Sequence, residues 1–130
     1  MKNVILVFSL LLSAVSSFGQ QVDLDCVAAM HVGKFVVKGE DSVQITRTEK
    51  KQIEVYNGGE GKAILRIDWT SPTTYTLTYL RGRGIRPNSK RGDTIAVEVL
   101  GCNDTEYTFR AYLTAIGDKS AMKGTMLKLE

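Results

Sequence analysis

The chain has one histidine, two cysteines, two prolines and one tryptophan in 130 residues. The lone histidine, His31, is the only base available to a Ser-His-Asp or Cys-His arrangement. It stands at the start of a predicted strand, and no Gly-x-Ser-x-Gly elbow accompanies it. A histidine in that position is ordinarily a surface residue. Two cysteines and one histidine are too few for a metal site, and the close Cys-x-x-Cys spacing is missing. Gly58-Gly59-Glu60-Gly61 has no helix after it, which excludes a phosphate-cradling loop. Glu54 and Asp68 read as outward residues of two strands, where solvated carboxylates are the default, so paired-acid glycosidase chemistry fits poorly. The sequence therefore points away from an enzyme and calls for no cofactor and no metal. Its formal charge of +3, from 17 cations and 14 acids, is mild and does not point to nucleic acid.

Long apolar runs are also scarce. The one that exists is Val4–Leu12, broken only by Ser9. Met1-Lys2 precedes it and the small, mostly polar Ser13–Gly19 follows, which is the layout of a secretory signal peptide. Residues 1–19 read as that signal and 20–130 as one domain, exported to the periplasm or the extracellular space. An uncleaved anchor helix is the alternative, but about nine apolar residues fall short of the ~20 that span a bilayer. No cysteine follows the apolar run at once, so lipoprotein acylation is not expected. No later run is long enough to be a transmembrane segment. Export would carry Cys26 and Cys102 into an oxidising compartment, where they form the single intrachain disulfide available. Two separate buried thiols are the alternative. A crosslink of this span is worth roughly 4–5 kcal/mol as an upper figure.

The rest of the chain is short alternating runs separated by turns. The clearest is Lys62–Arg81. Ala63, Leu65, Ile67 and Trp69 alternate with Ile64, Arg66 and Asp68, Pro72 breaks the run, and Tyr75, Leu77 and Tyr79 alternate again. Before it, Phe35 and Val37, then Val43 and Ile45, then Ile53 and Val55 read as inward faces, with Arg47 sharing the parity of Val43. After it come Ile95, Val97 and Val99, then Tyr107, Phe109, Ala111 and Leu113. The final run is ambiguous between Met122 with Met126 and Leu127 with Leu129, and Gly124 suggests a bulge or bend. Asp23 precedes a short helix with Leu24, Val27 and Ala28 on one face. About eight short strands with short connections predict an all-β, antiparallel up-and-down barrel with a short N-terminal helix; a β-sandwich is the alternative.

At His31-Val32-Gly33-Lys34-Phe35 the chain resembles the lipocalin-like (calycin) barrels, with a short helix before a Gly-x-aromatic first strand. Phe35 stands where that family has Trp. Lipocalins often set an Arg against that aromatic near the barrel end; Arg47 and Arg110 are both candidates. The domain is also similar to a group of small exported bacterial proteins of unknown function. The shared features are an early Cys, Ile45-Thr46-Arg47-Thr48, Gln52-Ile53-Glu54, a Trp strand, Tyr75-Thr76-Leu77 and Lys123-Gly124-Thr125. These are strand and turn residues, so the resemblance implies the fold and little about activity.

Two features suggest binding. Arg47, if inward, needs a partner: a tyrosine hydroxyl such as Tyr75 or Tyr79, a backbone carbonyl, or a ligand carboxylate. The alternative has it reaching water from the strand end. The second feature is the basic stretch Arg81–Arg91, in which Arg81, Arg83, Arg86, Lys90 and Arg91 could meet a phosphate, a lipid headgroup or an acidic partner. A flexible solvated loop is its plain reading. The expectation is a non-enzymatic barrel binding a lipid or other apolar or anionic small ligand through Arg47, Trp69, Tyr75, Tyr79, Arg81, Arg83, Arg86 and Arg91. The alternative is an interaction or inhibitor module that meets an envelope protein partner through the basic loop 81–91.

Overall fold

The computed structural model describes residues 21–84 and 90–129. The signal-peptide reading and the candidate Arg86 lie outside the described residues.

Helix α1 spans Leu24–Ala29. Asp23 caps it, its carboxylate accepting from the Asp25 and Cys26 amides at 3.1 and 3.2 Å. Six residues are too few to hold a helix by local bonds, so tertiary contacts must hold this one. Its last carbonyls have distant donors: Lys128 Nζ reaches Ala29 at 2.7 Å and Arg47 Nη1 reaches Met30 at 3.2 Å. The Cys26–Cys102 disulfide ties it to the sheet across 76 residues. Val27 and Met30 are buried beneath it, whereas Leu24, expected on the buried face, is 52% exposed. The disulfide and the two long-range bonds fix the rotation of so short a helix more firmly than its own apolar spacing does.

Eight strands follow: β1 Gly33–Val37, β2 Glu40–Arg47, β3 Lys51–Tyr56, β4 Gly61–Ser71, β5 Thr74–Arg83, β6 Thr94–Asn103, β7 Glu106–Leu113 and β8 Met122–Leu129. Each pairs antiparallel with the next, and β1 pairs with β8, closing an up-and-down barrel. Closure leaves no sheet edge to template another chain. No helix among the described residues is long and apolar enough to cross a membrane.

Register decides which residues face inward, because directly paired residues share a face. One expectation fails here. Ile45 is buried in the core and pairs with Glu54; Arg47 pairs with Gln52, and Val43 with Tyr56. Gln52, Glu54 and Tyr56 therefore face the interior, while Ile53 and Val55 face outward. Thr48–Lys50 is short and closed by the Thr48 amide bonding Lys51 O at 2.9 Å, which fixes the parity of β3 against its apolar content. In β8 it is Met126 that is buried. Gly124 makes no break in register; it pairs with Phe109, whose ring lies where a Cβ would be.

The antiparallel order puts α1 and the turns β2–β3, β4–β5 and β6–β7 at one end. The turns β1–β2, β3–β4, β5–β6 and β7–β8 lie at the other. Inward residues are not equally buried along this axis. Phe35, Ile45, Arg47, Gln52, Leu65, Ile67, Tyr75, Val97 and Tyr107 are buried and fill the helix end. Val37, Val43, Glu54, Tyr56, Tyr79 and Ile95 are only half-buried toward the other.

Candidate functional site

The helix end is organised around Arg47, which is 1% exposed. Its Nε and Nη2 both donate to Gln52 Oε1, at 3.1 and 2.8 Å. Nη2 also approaches the hydroxyls of Tyr75 and Tyr107, at 3.2 and 3.0 Å, and these hydroxyls bond each other at 2.7 Å. The guanidinium lies over the Phe35 ring, 4.9 Å from its centroid. Burial works against the cation, and Tyr75 and Tyr107 more than offset it. Burial and Tyr107 push the Tyr75 hydroxyl well above its ordinary range, so it stays protonated. Arg47 is thus spent on protein acceptors and plugs this end of the barrel.

Trp69 sits at the edge of the same plug. His31 stacks on it at 3.8 Å with planes 15° apart, and Tyr75 meets it at 4.6 Å. Its indole N–H has no acceptor among the described residues. Burial, then the nearby Arg47 charge, lowers the His31 pKa.

A hydrogen-bonded chain runs from this plug toward the other end. Gln52, which accepts from Arg47, donates through Nε2 to Glu54 Oε2 at 2.8 Å. The Tyr56 hydroxyl donates to Glu54 Oε1. Burial, then the Glu54 charge, raises the Tyr56 pKa. The Arg47 cation and the Glu54 anion are therefore bridged by a neutral amide. Glu54 is half-buried in the upper interior.

The upper end is apolar and only partly covered. Val37, Val43 and Ile95 line it, together with Tyr79. Leu113 pairs with Ile95 at the rim and is 43% exposed. Met122, paired with Ala111, and Ile116 in the β7–β8 turn are each 57% exposed. The inner face at this level carries small residues, Gly61, Ala63 and Ala111, all of them buried. Two mouth turns are clamped together: a Cβ at Gly84 would stand 2.1 Å from Glu60 O, and its φ is +63°.

The basic residues lie elsewhere. Arg81 and Arg83 are exposed on the outer wall of β4–β5 and line a groove with Lys62, Ile64 and Gly82. Arg91 is exposed in the β5–β6 turn, where the Lys90 amide bonds Asp93 Oδ2 at 2.8 Å. Arg110 pairs with Asp118 at 2.6 Å on the outside and has no part in the plug. The predicted residues thus fall into separate places: Arg47, Trp69 and Tyr75 at the closed end, Tyr79 in the open half, Arg81 and Arg83 on the outer wall. They do not form one pocket.

Sequence reasoning reads Glu54 and Tyr56 as outward and nominates neither Gln52 nor Lys62; the structure turns Gln52, Glu54 and Tyr56 inward. For these three a signal existed: once Arg47 is read as inward, the four residues between it and Gln52 return the chain on the same face. No group of three or more His, Cys, Asp or Glu side chains that could hold a metal ion occurs among the described residues. No protein-family model, curated protein or solved structure matches the chain.

Proposed function

We propose that this protein is an exported, non-enzymatic, lipocalin-like barrel that takes a small and largely apolar ligand through the end opposite its helix. The supporting observation is a difference in burial: the side chains around Arg47 are buried, whereas Val37, Val43, Glu54, Tyr56, Tyr79 and Ile95 toward the other end are only half-buried. An eight-stranded barrel is about the smallest that holds any ligand, so the upper half must supply the room. The anionic ligand considered for the interior is disfavoured there, because Arg47 is committed and the mouth-facing charge is Glu54. Secretion through the signal peptide agrees with a disulfide that pins the helix to the sheet.

The test uses N-phenyl-1-naphthylamine, a neutral apolar fluorophore, titrated into the protein. Binding should saturate at one site and be lost in Val43→Trp and Ile95→Trp, which fill the mouth. Melting of these variants should stay near wild type. Absence of binding, or binding that survives both substitutions, would refute the reading.

A further inference from the structure

We infer that the outer wall of β4–β5 carries an oxyanion site for a phosphate group, free or esterified in a lipid headgroup, held by Lys62, Arg81 and Arg83. This site is separate from the barrel interior and does not depend on the interior reading.

A β-bulge builds it. Leu65 pairs with Tyr79 and Ile64 pairs with Arg81, so Leu80 is an extra residue. Up to Tyr79 the odd-numbered residues of β5 point inward. Past the bulge, Gly82 pairs with the inward Ala63, while Arg81 and Arg83 pair with the outward Ile64 and Lys62. Were Leu80 paired instead of bulged, unbroken alternation from Tyr79 would aim both arginines into the barrel. Bulges characteristically re-aim side chains in this way. Here the result is two guanidiniums and an ammonium on one outer face.

That face is costly when bare. Lys62 and Arg83 are direct cross-strand partners, and like charges in that relation destabilise a sheet. Arg81 lies two residues along on the same face. The groove between them is about 260 Å³, and no carboxylate lines it among the described residues. Neither of the ion pairs among the described residues involves these three cations. Arg83 is partly fixed, its Nη1 donating to Gly59 O at 3.3 Å. Planar guanidinium forks suit tetrahedral oxyanions, and a lysine adds a point charge. Ile64 lines the groove, its cross-strand partner Ile53 lies beside it, and Val55 pairs with Lys62. This apolar strip next to the cations suits a phosphate carried on an apolar body.

The test has two arms. Inorganic phosphate is titrated calorimetrically and by amide shift. Vesicles of phosphatidylglycerol, with phosphatidylcholine as control, are co-sedimented with the protein. Lys62→Gln/Arg81→Gln is compared with Lys90→Gln/Arg91→Gln, which removes as many charges outside the groove. Binding in either arm that weakens tenfold or more in the first variant and less than twofold in the second supports the site. Shifts in the phosphate titration should then centre on Lys62 and Gly82. Phosphate binding assigns the free ion as source, and vesicle binding assigns the headgroup. Binding in neither arm, or equal loss in both variants, would overturn the inference.

Discussion

Replacing Arg47 with methionine should destabilise the fold by about 2–5 kcal/mol, although it removes a buried charge. The side chain makes five hydrogen bonds inside the barrel. Without it, Tyr75 and Tyr107 keep their mutual bond and lose little. Gln52 Oε1 and Met30 O lose their donors, and each orphaned buried acceptor costs about 1–3 kcal/mol. Relief of the desolvated cation subtracts from the resulting ~2–6 kcal/mol. The double change Arg47→Met/Gln52→Met removes the worse orphan, and Glu54 can then turn to water because it is only half-buried. The double variant should regain a substantial part of the single loss, giving strong non-additivity between the two positions. Urea unfolding followed by Trp69 fluorescence measures both. An Arg47→Met variant within ~1 kcal/mol of wild type, or a double variant whose cost is the sum of two large single costs, would refute the plug.

Removing the crosslink by Cys26→Ser, or by reductant, should cost up to about 4–5 kcal/mol for a span of 76 residues, seen as a clear fall in melting temperature. Equal melting with and without reductant would show that this bond contributes nothing. Gly84→Ala should cost about 2 kcal/mol or more, because a Cβ meets Glu60 O and the backbone is left-handed; an unchanged melting temperature would contradict that contact. His31 supplies a pH dependence. Its folded pKa lies below the unfolded value of 6.5, so the unfolded chain binds more protons between the two. Stability should be complete above about pH 7 and should decline as pH falls through 6.5 toward the folded pKa. His31→Gln should abolish that slope, and a wild-type slope of opposite sign would contradict the assignment.

Much of this barrel is legible in the sequence, for identifiable reasons. Tyr75-Thr-Leu-Thr-Tyr79 and Tyr107–Leu113 alternate cleanly, so register and apolar content agree. In β3 they disagree: Ile53 and Val55 carry the apolar signal, yet a short turn and the buried Arg47 bring Gln52, Glu54 and Tyr56 inside. A polar interior cannot be read from hydrophobic period. The bulge at Leu80 is likewise silent in composition, because an extra residue changes parity without changing residue type. That is why the sequence presents Arg81 and Arg83 as loop residues, with nothing to set Lys62 beside them. The disulfide was readable because only one pairing existed. Arg47 was readable as a problem, since an inward cation demands partners, but its full set of partners comes from strands distant in sequence.

A barrel filled at the helix end and open to a ligand at the other is the proposal on which the function rests. Shift mapping of the isotopically labelled protein with N-phenyl-1-naphthylamine tests it most directly. Perturbations should concentrate at Val37, Val43, Tyr56, Tyr79, Ile95 and Leu113, with Tyr75, Tyr107 and Trp69 unmoved. Perturbations centred on Trp69 and Arg47, or confined to the outer residues around Ile64, would contradict it.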